Sequence, residues 1–165
     1  MGLRERDAEF KGFYRAEAER LRRLALFLTG DRDQAADLAQ EALLRTYQSW
    51  YRIERDDPGP YARRTLVNLH RNSIRRRIVE RRHLRTIREP HEVVDAPIEE
   101  AQRIGRALRA LSPIRRATVV LRFYEDMTEA DIARVLDRPL GTVKSDLHRA
   151  LKTLRPLLED VKEPA

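Results

Sequence analysis

Residues 128–152, TEADIARVLDRPLGTVKSDLHRALK, read as two short helices joined by a tight turn. Ile132, Ala133 and Leu136 mark the inward side of the first helix, and Ala133 is small where two helices must approach closely. Thr128 with Asp131 has the spacing of a capping box and opens that helix. Asp137-Arg138-Pro139-Leu140 interrupts the pattern, and a second helix starts near Gly141-Thr142 with Val143, Leu147 and Leu151 turned inward. This is the helix-turn-helix arrangement. Thr142 is placed to cap the second helix, whose free amides and positive dipole end suit a phosphate. The second helix of such a motif enters the major groove with its early residues toward base edges. Lys144, Ser145, His148 and Arg149 are the exposed positions there, and each carries a group that binds bases or phosphates. Asp146 stands among them at an expected exposed position, where it either accepts from a cytosine amino group or points sideways.

The helical period extends through the rest of the chain. Phe10, Phe13, Tyr14, Ala18, Leu21, Leu24, Ala25 and Leu28 recur at spacings of three and four, and Gly30 suits the stop. Asp31 or Asp33 can cap the next helix, which carries Ala36, Leu38, Ala39, Ala42, Leu43, Tyr47 and Trp50. DDPGP at 56–60 is a breaker, and a third helix begins near Pro60-Tyr61. Residues 86–100 hold two prolines and several acids without periodicity, which reads as a linker. Ala101, Ile104, Ala107, Leu108 and Leu111 resume the helical pattern, and Ser112-Pro113 marks another helix start. No alternating stretch of useful length suggests a strand. The expected fold is all-α, with two small helical domains at 1–85 and 101–165 joined by a flexible linker at 86–100.

Composition bounds the chemistry. The 165 residues include no cysteine, which excludes disulfides, zinc–thiolate and iron–sulfur sites and a thiol nucleophile. No apolar run reaches the roughly 20 residues of a membrane-spanning helix. MGLRERDAEF lacks the apolar segment of a secretory signal, so the cytoplasm is the expected location. The net charge is +7, yet residues 61–90 alone hold ten arginines against Glu80 and Glu89. That segment, including Arg63, Arg64, Arg71, Arg75, Arg76 and Arg77, carries the whole excess and points to a polyanion. No H-E-x-x-H or phosphate-loop signature is present. Neither catalysis, nor a metal, a cofactor or a small-molecule substrate is expected.

DRDQAADLAQEALLRTYQSW, then PYARRTLVNLHRNSIRRR, then LSPIRRATVVLRFYEDMTEADIARVLDRPLGTVKSDLHRALKTLR stand in an order that resembles the extracytoplasmic-function sigma factors of the sigma-70 family. The PYARRTLVN variant is similar to an actinobacterial subgroup. The resemblance covers about residues 8–157 and implies a sigma-2-like and a sigma-4-like domain that bind core RNA polymerase and direct it to promoters. It implies that Asp37, Leu38, Gln40 and Glu41 dock on the β′ clamp helices. Asp37, Gln40 and Glu41 share one helical face, suited to arginines on a partner. It implies that Tyr61, Arg64, Asn68, Arg71, Arg75 and Arg76 read and open the −10 element. There Asn68 and the loop at about 54–60 receive a flipped base of the non-template strand, and the arginines hold the backbone. Tyr61 and Trp50 are candidates for base stacking, against a core role for aromatics at helical spacing. Thr142, Lys144, Ser145, His148 and Arg149 become the −35 reading set, beside a contact to the β flap. Such proteins are often held by an anti-sigma factor. The family often has arginine where Asp146 stands and glycine where Asp137 stands; aspartate tolerates the left-handed backbone that a turn requires there. The alternative is a helix-turn-helix regulator that binds duplex DNA without polymerase.

Overall fold

The computed structural model describes residues 3–53, 57–83 and 99–159. Among these, every regular element is a helix: α1 (Leu3–Thr29), α2 (Arg32–Gln48), α3 (Trp50–Ile53), α4 (Pro58–His83), α5 (Glu99–Arg109), α6 (Pro113–Phe123), α7 (Glu129–Leu136) and α8 (Leu140–Glu159). Residues 54–56, most of the expected linker, and Arg85 and Arg88 lie outside the described residues, as do the side chains of Arg81 and Arg82. Helix α5 begins at Glu99, so it takes in the last two residues of the expected linker.

The first half is built on α1, α2 and α4. Leu21, Leu24, Ala25 and Leu28 of α1 are fully buried, and Ala62, Leu66 and Val67 of α4 meet them. The α2 face toward them is Ala35, Ala39 and Ala42, small residues that let the helix axes come close. A leucine taken fully out of water contributes about 1.5–3 kcal/mol, so this seam is where the half gains its stability. The α1–α2 corner follows from local chemistry. Gly30 takes φ +67, a left-handed value, and a Cβ there would lie 3.1 Å from Arg116 Nη1. Asp31 then caps α2, its carboxylate accepting from Gln34 N at 2.9 Å. Trp50, expected in the second helix, sits instead in the short α3, because the chain turns at Ser49.

The second half packs α5, α6, α7 and α8 around Ala117, Val120, Leu121, Ile132, Val143 and Leu147. Ser112 is the N-cap of α6 with Pro113 following, and Thr128 accepts from Asp131 N at 3.1 Å to open α7. Asp137 closes α7 at φ 53, the left-handed turn residue that the sequence predicts. Buried residues of both halves form one continuous cluster, through contacts of α1 with α6 and of α4 with α7.

Candidate nucleic-acid interface

Helix α8 starts at Leu140, because the Pro139 carbonyl accepts from Thr142 N at 3.0 Å and Val143 N at 3.1 Å. Pro139 therefore opens the helix. Thr142 lies half-buried in its first turn and does not have the capping role expected of it. Lys144, Ser145, His148 and Arg149 are exposed together on the outer side of α8. The inner side is Val143, Leu147, Ala150 and Leu154.

Asp146 belongs to that inner side, which corrects the expectation of an exposed position. It is 7% exposed. Its carboxylate pairs with Arg138 Nη2 at 3.1 Å and Arg115 Nε at 3.5 Å. The spacing explains this: Asp146 follows Val143 by three residues and precedes Ala150 by four, so it shares their stripe. A carboxylate can sit there only because two guanidiniums flank it. It ties the start of α6 and the α7–α8 turn to α8 and faces away from solvent.

The long helix α4 carries the arginine-rich segment. Tyr61 is half-buried and its hydroxyl donates to Ser49 Oγ at 3.0 Å. Arg64 and Asn68 line a cavity of about 550 Å³ between α4 and the α6–α7 region, opposite Glu125 and Arg134. Arg71 Nη1 donates to the Val135 carbonyl at 3.0 Å, and Arg75 Nη2 to Asp137 Oδ2 at 2.9 Å. Arg76 is exposed, and Arg77 donates to Gln34 Oε1. The α4 candidates thus share one helix, and part of their face is turned toward the other half of the chain. Trp50 does not stand among them. It is buried against Phe10 and Phe13, ring centroids 5.3 and 5.4 Å away, with Nε1 donating to Glu9 Oε2 at 3.3 Å. Base stacking by Trp50 is overruled by that core position.

Helix α2 presents Asp37 and Gln40 to solvent, with Leu38 half-buried and Glu41 held by Arg45 at 2.6 Å. Leu44, 48% exposed, continues the same stripe one turn on and gives the patch an apolar centre. The periodic position of Leu44 was the available signal for it.

Two residues that no local pattern marks organise the junction between halves. Arg116 is buried; Nε donates to Leu108 O at 2.9 Å, Nη2 to Leu111 O at 3.2 Å and Nη1 to Thr29 O at 3.0 Å. Glu125 lies with Oε2 at 3.1 Å from Arg63 Nε and 3.6 Å from Arg20 Nη2. Burial raises its carboxyl above the ordinary value, and Arg20 and Arg63 pull the other way. His70, beside Arg116 and Arg77, is lowered to about 4, chiefly by burial and then by those two cations. Among the described residues no group of acids and histidines could hold a metal ion, and no helix is long and apolar enough to cross a membrane.

Comparison with known proteins places this geometry. Residues 13–78 match the family model for sigma-70 region 2, and residues 101–154 match that for sigma-70, region 4. An RNA polymerase sigma-E factor of Streptomyces avermitilis is 38% identical over 157 residues, covering 92% of this chain and 86% of the relative. The ECF RNA polymerase sigma factor SigL of Mycobacterium tuberculosis is 36% identical over 167 residues, covering 93% and 91%. The solved sigma factor RpoE of Bartonella quintana, crystallised with the anti-sigma factor NepR, superposes with a TM-score of 0.74 at 24% identity, over 94% of this chain and 99% of that one, a likeness of fold.

Proposed function

The chain belongs to the extracytoplasmic-function RNA polymerase sigma factors of the sigma-70 family, and on that footing we propose how its surfaces divide the work. The region-2 half, residues 1–85, docks on core RNA polymerase and captures the −10 element. The region-4 half, 101–165, reads the −35 duplex and touches the β flap, and 86–100 connects them. Asp37, Gln40 and Glu41 with Leu38 and Leu44 meet the β′ clamp helices; acids around an apolar centre suit a partner helix carrying arginines. Tyr61, Arg64, Asn68, Arg71, Arg75 and Arg76 hold the melted non-template strand. A flipped base forfeits a few kcal/mol of stacking, which the Asn68 carboxamide and the walls of its pocket must offset. Thr142, Lys144, Ser145, His148 and Arg149 read the −35 element. The protein acts without catalysis of its own, in the cytoplasm, and an anti-sigma factor is its natural restraint.

The observation that carries this reading is the presence in one chain of two separate polar faces suited to nucleic acid: an arginine-rich helix with Asn68 lining a cavity, and the exposed Lys144, Ser145, His148 and Arg149 of α8. Its test is transcription in vitro with purified core polymerase on a library of genomic fragments. Start sites that appear only with this protein support it. Tight binding of the free chain to duplex DNA with no initiation returns the regulator alternative.

Two substitutions divide the surfaces. Asp37→Lys lowers affinity for core polymerase at least about tenfold in a pull-down, since a like charge at an interface costs several kcal/mol, while helicity stays the same. Asn68→Ala leaves the closed complex and reduces permanganate reactivity at the −10 element about tenfold, the effect of losing one base-edge contact.

A further inference from the structure

We infer that the cavity between α4 and the α6–α7 region is a binding site for a single nucleotide whose base is adenine or cytosine. The inference rests on the reading of Arg64 and Asn68 as groups that meet nucleic acid. It adds a third residue, Glu125, and a ligand other than the promoter.

The cavity holds about 550 Å³. Sites for one small ligand run from about 300 to 1,000 Å³, so the space suits a mononucleotide rather than a length of strand. Its lining is of two kinds. Val67, Leu121 and Met127 supply apolar wall for the flat face of a base. Arg64, Asn68 and Glu125 supply polar groups that converge on the space. Other charges there are already matched: Arg134 pairs with Asp131, and Arg63 with Glu17 and Glu125.

Three groups are left over. Among the described residues, the Arg64 guanidinium and the Asn68 carboxamide make no side-chain hydrogen bond or ion pair. Glu125 is the unusual one. Its side chain is 7% exposed, and Oε2 lies between Arg63 and Arg20. Oε1 has no hydrogen-bond partner. Buried side-chain oxygens are nearly always paired, and this one asks for a donor. Because Glu125 lines the cavity, the cavity's occupant is placed to bring it.

The three demands select the ligand. Arg64 asks for an anion, and a guanidinium meets a phosphate through two parallel bonds. Asn68 stands one turn further along α4 and offers an acceptor and a donor side by side. That is the complement of an amino group next to a ring nitrogen, which adenine presents at N6 and N7 and cytosine at N4 and N3. Each amino group keeps a second hydrogen, and Glu125 Oε1 is the acceptor for it; acidic side chains accept from cytosine N4 in the same way. Uracil carries a carbonyl at this place. A carboxamide turned over still pairs with uracil, but Oε1 then faces another oxygen. Glu125 is therefore the residue that chooses the base, and Arg64 the one that holds the phosphate. A bound nucleotide competes with a flipped promoter base for Asn68.

The test is calorimetric titration of the full chain with the 5′-monophosphates of adenosine, cytidine and uridine. The first two bind saturably and at least about tenfold tighter than the third, which leaves a buried acceptor unpaired. Glu125→Gln puts an amide donor beside the base and brings the uridine nucleotide to within about threefold of the cytidine one. Arg64→Ala, a change at an exposed position, weakens adenosine monophosphate about tenfold and leaves adenosine itself as it was. Circular dichroism shows unchanged helix in both variants. No saturable binding at millimolar nucleotide overturns the site. So does a uridine nucleotide bound by the unaltered chain as tightly as the other two. Displacement by equimolar inorganic phosphate overturns it as well, since the chain then holds only an anion. The underlying reading fails separately: Asn68→Ala then melts the −10 element normally with polymerase, whatever the calorimeter records.

Discussion

Arg116→Met destabilises the folded chain by roughly 3 kcal/mol, read as a shifted midpoint in chemical denaturation. The guanidinium serves three carbonyls at once: Leu108 and Leu111 where α5 ends, and Thr29 where α1 ends. Thr29 ends α1 and Leu111 lies just beyond α5, so neither carbonyl has a partner within a helix, and Leu108 O, which also accepts from Leu111 N at 3.1 Å, has a second lone pair to offer. A buried polar group stripped of its partner costs about 1–3 kcal/mol, and removal of a buried cation offsets part of the sum. Burial, and then Arg109, already lower the pKa of Arg116, which marks how closely it is enclosed. A second readout accompanies the first. Arg116 is one of the two cations that depress His70, so the variant's imidazole titrates above its present value of about 4. The sign for stability follows. A histidine whose folded value lies below its unfolded 6.5 binds fewer protons when folded, so stability is lost as pH falls from 6.5 toward 4. The methionine variant loses less of its remaining stability over that window. An unchanged midpoint would mean that water satisfies the three carbonyls.

The second large effect belongs to α4. Replacing Arg71, Arg75 and Arg76 together by alanine weakens promoter binding by the polymerase complex on the order of 100-fold at moderate salt, chiefly in the opened state. If each arginine neutralises one phosphate of a single strand, the slope of log affinity against log salt falls by about 2. Filter binding over a salt series measures it. Arg71 and Arg75 make their contacts across the junction, and Arg76 is exposed. Circular dichroism should therefore register no loss of helix. A smaller affinity with an unaltered salt slope would place the phosphate contacts on other residues.

Much of the fold is legible in periodicity. Leu21, Leu24 and Leu28 announce the buried side of α1, and Asp31 and Thr128 cap helix starts through their side chains, because capping is local chemistry; Ser112 stands at the start of α6 without a side-chain cap bond, and Pro113 follows it. Asp146 shows how a signal is overlooked. Val143, Asp146, Leu147, Ala150 and Leu154 form one stripe, but an acid in a reading helix suggests solvent or DNA, and the two arginines that admit it inside come from separate elements. Thr142 failed as a cap for a different reason: Pro139 and Leu140 are as able to begin a helix as Gly141, and only the backbone hydrogen bonds decide. Arg116, Glu125 and the Arg71–Val135 contact are invisible to local reading. Their partners lie far along the chain, and sequence spacing says nothing of which arginine in a run turns inward. The candidate sites on α2, α4 and α8 were legible as faces; what each face meets in the free chain was not.

A cell always holds stray single strands, at replication forks, at repair gaps and behind moving polymerases. A protein with an uncovered strand-binding helix would be titrated onto them. With Arg71 and Arg75 of α4 bonded to Val135 and Asp137 of the same chain, part of that helix's charge is already answered when such a strand is met.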